Sequence, residues 1–177
     1  MNLQHHRVAG PAAVAGGLAA VATGVIQAIR PQDTDPRVIG QEHLVLSLFA
    51  VSLLLVIPGL LALAAHGGPA ARPVAWAISA AHVLLAFGAT SSNLNGEDFS
   101  WFFYVAGSAN AVMLIGAIPM AVSLWRAGRL PRPLAAALPV LWIFEIPLSQ
   151  LGGGIVVGAY WILAGLALLS GSREPVT

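Results

Sequence analysis

The chain has 177 residues, 58% of them hydrophobic and only 8% charged, with a formal net charge of +1 and a mean hydropathy of +0.83. Soluble domains carry about 25% charged residues, so this composition excludes a water-facing globular domain, and the balance of 8 basic and 7 acidic residues gives no surface for nucleic acid or another polyanion. The absence of cysteine excludes disulfides, thiol redox chemistry and Cys-ligated metal or iron–sulfur sites, and the absence of lysine excludes Schiff-base chemistry.

The apolar residues are gathered into runs long enough to cross a bilayer, which predicts an all-α integral membrane protein, a single domain built as a bundle of six transmembrane helices. Pro11 is placed to open the first span, about 11–29, because the N–H it lacks would be unpaired in a first turn. The rival reading of this segment as a cleaved signal peptide rests on Arg7 and Ala20-Val21-Ala22. Ala12, Gly16, Ala20, Gly24 and Ala28 recur every fourth residue, a ladder of small side chains suited to close helix contact in lipid.

After a polar loop containing Asp33, Asp35 and Glu42, the second span covers about 43–65, with Pro58-Gly59 expected to kink it. A Gly- and Pro-rich turn leads to the third span, about 74–92, which carries His82 near its middle. The acidic loop NLNGEDFS precedes the fourth span, about 101–125, which has Trp101, Phe102, Phe103 and Tyr104 at one end and Trp125 at the other, as in the aromatic belt of a spanning helix. The basic loop RAGRLPR follows. The fifth span, about 133–149, is short and interrupted by Pro139 and Pro147, and Gly152, Gly153 and Gly154 then form a tight turn into the sixth, about 155–169.

Six crossings put both termini on one side. Arg7, Arg72, Arg126, Arg129, Arg132 and Arg173 then share that side, with Arg30 and Arg37 opposite, and the positive-inside tendency makes the arginine-rich side and both termini cytoplasmic. The expected location is the cell membrane, as a multi-pass protein of a bacterial inner membrane, and the Arg-only usage rich in Ala and Gly is read as a sign of a GC-rich genome.

Glu145 is the acid inside an apolar run, in LWIFEIPLSQ. A charge there is costly unless neutralised or partnered, so an intramembrane acid marks a site by default. At about 1.5 Å per residue, Glu145, His82, Asn110 and Tyr160 fall within one layer in the middle and outer half of the membrane. The helical repeat puts Ser79, His82, Ala86, Ala89 and Asn93 on one face, and Trp142, Glu145 and Ser149 on another. Gln41, Glu42, His43, Asn95, Glu97 and Asp98 are expected to supply polar groups above that layer. Glu145, His82 and Asn110 are the candidate catalytic residues. Trp142, Phe144, Gln150, Tyr160, Trp161 and Tyr104 are the candidate substrate contacts. The bland alternative makes each polar group interhelical glue.

No cofactor is expected. A bis-histidine haem needs a second His at the depth of His82, and a metal on His82 and Glu145 lacks a third ligand. Three function classes remain. The first is an intramembrane enzyme that cyclises or isomerises an isoprenoid or lipid, with Glu145 as proton donor and aromatic faces steadying a developing cation. In plan this resembles small integral-membrane terpene cyclases, with no shared motif. The second is a substrate-binding or proton-coupled transporter subunit, which at this size would pair with a second copy or a partner. The third is a structural membrane protein without chemistry.

Overall fold

The computed structural model describes residues 3–30, 37–145 and 148–171. Asp33, Asp35, Pro147 and Arg173, used above in reading the loops and the topology, lie outside them. Among the described residues the chain forms α1 (Leu3–Ile29), α2 (Gln41–Gly67), α3 (Ala71–Asn95), α4 (Phe102–Ala127), α5 (Arg132–Glu145) and α6 (Gly153–Gly171), with a 3-10 turn at Ser149–Leu151 before α6. Five of the helices are long and apolar enough to cross a membrane, which makes this a multi-pass membrane protein.

The exception is the fifth helix, read from the sequence as short and here shorter still. α5 has 14 residues, about 21 Å at 1.5 Å per residue, against a hydrocarbon core of about 30 Å. Its regular part ends at Glu145, and Ser149 belongs to the 3-10 turn rather than to the helix. The first helix differs in the other direction. It starts at Leu3, so Pro11 sits inside it and not at its first turn. Pro11 there removes one backbone hydrogen bond and sets its ring against the carbonyl four residues back. Helices also run through Pro58, Pro119 and Pro139, which neighbouring helices make tolerable in membranes.

The ends are set by glycine where the backbone turns left-handed. Gly96 closes α3 at φ 76° with its N–H on the Ser92 carbonyl, and Gly128 closes α4 at φ 64° with its N–H on the Leu124 carbonyl. A residue with a Cβ rarely adopts that conformation.

Consecutive helices pack side by side, and α6 returns to α1, so the six form a closed ring in which α2 also reaches α4 and α6. The α1–α6 seam is the most extensive contact. A Cβ on Gly17 would meet the Gly158 carbonyl oxygen at 2.7 Å, and one on Gly165 would meet the Gly10 carbonyl oxygen at 2.7 Å, so the backbones touch. The small-residue ladder read from the sequence is therefore divided between two neighbours. Gly24 packs on α6, whereas Gly16 lies against Val56 of α2.

Large apolar side chains fill the end of the bundle nearer the α2–α3 and α4–α5 connections. Leu60, Leu63, Met120 and Leu124 are fully buried there. Outward-facing positions such as Leu54, Phe87, Ile115 and Leu163 are exposed, as a lipid-facing wall requires. Buried polar residues, Thr23 and Ser92 among them, lie toward the opposite end.

The α1–α6 seam yields the first prediction. Gly158→Ala places a methyl group into the Gly17 carbonyl, and such overpacking costs about 1–3 kcal/mol. Gly107→Ala projects into open space and is neutral or slightly stabilising. Thermal unfolding of the two purified variants in detergent checks the contrast.

Candidate functional site

α5 ends on Glu145, and the chain must then reverse into α6. The reversal is tight. The Leu148 N–H reaches back to the Ile143 carbonyl at 3.1 Å, the Gly153 N–H bonds the Leu148 carbonyl at 2.9 Å, and Gly152 between them takes φ 85°. A Cβ on Gly153 would collide with the Phe144 carbonyl oxygen, so the start of α6 is pressed against the end of α5. This turn holds Glu145 against the inner faces of the other helices.

Glu145 stands in the wall between two cavities. The larger, about 240 Å³, lies between α1, α2, the α5–α6 turn and α6. Its polar groups come from Thr23, Gln27, Ser52, Glu145 and Ser149, and most of the rest is apolar, including the ring of Phe49. The smaller, about 40 Å³, lies among α2, α3, α4, α5 and α6, and has His82, Trp142, Glu145 and Trp161 in its wall.

Several of these polar groups are already committed. Ser52 donates to the Gly16 carbonyl at 2.9 Å, tying α2 to α1, and Thr23 donates to the Ala19 carbonyl of its own helix at 2.9 Å. His82 is buried and its Nδ1 lies 2.8 Å from the Ile78 carbonyl. A carbonyl only accepts, so Nδ1 carries the hydrogen and Nε2 is the acceptor nitrogen. The indole Nε1 of Trp142 is buried with no hydrogen-bond partner. Glu145 makes no side-chain hydrogen bond or ion pair among the described residues.

The candidate residues thus divide. His82, Trp142, Glu145 and Trp161 meet at the small cavity, and Tyr160 packs edge-on against Trp161 with ring centroids 5.3 Å apart. Asn110 lines neither cavity. It sits one turn from Met113 of the small-cavity wall, its Oδ1 buried without a partner. Phe144 packs against the core, Gln150 is exposed, and Tyr104 is 76% exposed beside Phe103, all away from both cavities. Among the described residues no group of three or more His, Asp or Glu could hold a metal ion.

The polar residues at the start of α2 and the end of α3 pair with one another, and none of them lines either cavity. Arg30 forms an ion pair with Glu42, which also accepts the Ile39 N–H at 3.1 Å. His43 Nδ1 meets Asn93 Oδ1 at 2.6 Å, and Asn93 Nδ2 donates to Ser47 Oγ at 2.8 Å. Asn95 donates to the Glu97 carbonyl at 3.3 Å.

The sequence reading missed the contribution of α1 and α2. Ala20, Thr23 and Gln27 fall at i, i+3 and i+7 on one face of α1, and Gln27 is an amide inside an apolar run, which was the available signal. Phe49 had no such mark, being one aromatic among many apolar neighbours. Comparison with known protein families, curated proteins and solved structures returns no match.

The Asn93 cluster ties the end of α3 to the start of α2. Asn93→Ala removes bonds that cross between the two helices, and interhelical side-chain bonds in membranes average about 0.6 kcal/mol. A loss of about 1 kcal/mol in thermal unfolding is expected. Ser91→Ala, which deletes only a bond to Phe87 of its own helix, leaves stability unchanged.

Proposed function

We propose that the protein is an intramembrane enzyme that uses Glu145 as a proton donor and acceptor on a lipophilic unsaturated substrate, isoprenoid or lipid, held in the larger cavity. One observation carries the reading. An acid with no ion-pair partner among the described residues stands in the wall of a mostly apolar chamber of about 240 Å³. Structural acids in membranes pair with a neighbour, and this one faces open space.

The chemistry closes on itself. The Glu145 O–H bond breaks as a C–H bond forms at one carbon of a substrate double bond, leaving a carboxylate and a carbocation. The Phe49 ring in the chamber wall can steady that cation. Loss of a proton from an adjacent carbon to the carboxylate, directly or after ring closure, regenerates the acid. The outcome is isomerisation or cyclisation, with no oxidant, reductant or metal in the balance. Exclusion of water by the surrounding apolar walls protects the cation. The carrier reading draws on the same residue, since an acid between two cavities also suits a proton-coupled subunit.

For topology, we propose six crossings, with α5 and the 3-10 turn together completing the fifth, and both termini on the cytoplasmic side of the cell membrane, as the distribution of arginines favours. The chain has no cysteine, so single introduced thiols report cleanly. Ser100→Cys should react with a membrane-impermeant maleimide in intact cells, and Arg129→Cys only after permeabilisation. The opposite pattern inverts the topology.

Glu145→Gln keeps the shape and removes the transferable proton. The enzyme reading expects normal membrane levels of the variant and loss of an isoprenoid or lipid product from expressing cells, by at least about 10²-fold. Loss of solute uptake with the lipid profile intact would support the carrier, and loss of the protein itself would return Glu145 to a structural role.

A further inference from the structure

Arg126, Arg129 and Arg132 follow one another closely at the α4–α5 connection. Among the described residues none of the three has an ion-pair or hydrogen-bond partner, the one salt bridge being Arg30–Glu42. Glu42, Glu97, Asp98 and Glu145 all lie toward the opposite end of the bundle. The positive charge at the α4–α5 connection is therefore uncompensated by the described acids.

Beside these charges a groove of about 220 Å³ lies between α4 and α5. Ala121, Val122, Trp125, Arg126 and Ala136 line it, and its surface is almost wholly apolar. Val122 and Trp125 are exposed, so on a membrane-spanning helix the groove opens to lipid and not to the bundle interior. Ala121, Val122 and Trp125 precede Arg126 on α4, and Ala136 follows Arg132 by about one turn on α5. The arginines thus stand at the loop end of the groove, and its apolar wall extends from them toward the bilayer core. Arg132 is held at that end by a cation–π contact, its guanidinium carbon 5.6 Å from the centroid of the Trp125 ring.

A charged end on an apolar length matches an amphiphile. A small anion alone would leave the apolar wall unfilled, and a lipid without net charge would leave the arginines uncompensated. Guanidinium groups bind phosphate through paired N–H donors, and basic pockets between helices take anionic head groups.

We propose that this groove is a binding site for one anionic phospholipid, its phosphate held by Arg126, Arg129 and Arg132. One acyl chain lies along Ala121, Val122, Trp125 and Ala136, and the lipid bridges α4 to the short α5. The site stands apart from the Glu145 cavities and does not rest on the function proposed above.

Native mass spectrometry of the full chain in detergent micelles, titrated with phosphatidylglycerol or phosphatidylcholine of equal chain length, tests it. One bound phosphatidylglycerol is expected, at an affinity at least about tenfold above that for phosphatidylcholine, since each arginine at a membrane surface is worth about fivefold. Arg126→Gln and Arg132→Gln each lower that preference by about fivefold. Arg72→Gln, at the same end of the bundle on α3 and outside the groove, leaves it unchanged. Ala136→Phe fills the groove, keeps every charge and lowers phosphatidylglycerol retention. All four positions are exposed, so the helical signal in circular dichroism is expected to match the wild type. Equal retention of both lipids by the wild type overturns the proposal. A loss in Arg72→Gln as large as in Arg132→Gln also overturns it, as the mark of general charge attraction. Retention unchanged in Ala136→Phe leaves the groove unused and sinks the site. Inorganic phosphate at the concentration of the lipid is expected to displace none of it, and displacement would assign the arginines to a soluble anion instead. A dimer that binds no lipid would give the groove to a second copy of the chain and end the proposal.

Discussion

The approach of α1 to α6 is the contact on which the rest of the arrangement depends. Lipid tails are as apolar as leucine, so burying apolar surface does not by itself hold helices together in a bilayer, and close packing of small residues does. Gly10 and Gly17 on one helix and Gly158 and Gly165 on the other bring carbonyl oxygens within reach of the opposing α-carbons. That seam closes the ring of six helices. It also carries the Ala20–Thr23–Gln27 face of α1 to the α5–α6 turn, and without it the larger cavity would have no fourth wall.

The two ends of the bundle do different work. Toward the α2–α3 and α4–α5 connections, leucine and methionine fill the interior. Toward the other end the helices hold cavities, buried polar atoms and an acid whose carboxyl has no partner among the described residues. The shortness of α5 joins the two regions. Because its regular helix stops at Glu145 and the chain then turns back through Gly152 and Gly153, the acid is presented at a helix end instead of on a continuous helical wall.

Several of these features were legible in the order of residues. Composition alone implied helices in a membrane, and the spacing of apolar runs located their ends to within about four residues, except the start of α1, which lies eight residues earlier. The face of α3 that carries Ser79, His82, Ala86 and Ala89 is buried as its 3.6-residue repeat implies. Asn110, Phe144, Tyr104 and Gln150 show the limit of the same reasoning. Depth along a helix can be counted from sequence, but rotation about its axis relative to five neighbours cannot, and rotation decides which cavity a side chain enters.

The sequence by itself determined the class of protein, the number of helices, the alternation of polar and apolar segments, and the fact that Glu145 lies among apolar residues. Each of these follows from local composition and from the cost of exposing backbone or charge to hydrocarbon. Only the tertiary structure decided that the regular part of α5 ends at Glu145, that α1 and α6 meet through their glycines, and that Glu145 lines one cavity with Gln27 and Phe49 and another with His82 and Trp142. Those outcomes come from packing between segments far apart in the chain. The sizes of side chains on one helix select the rotation and height of another, and no local pattern records that choice.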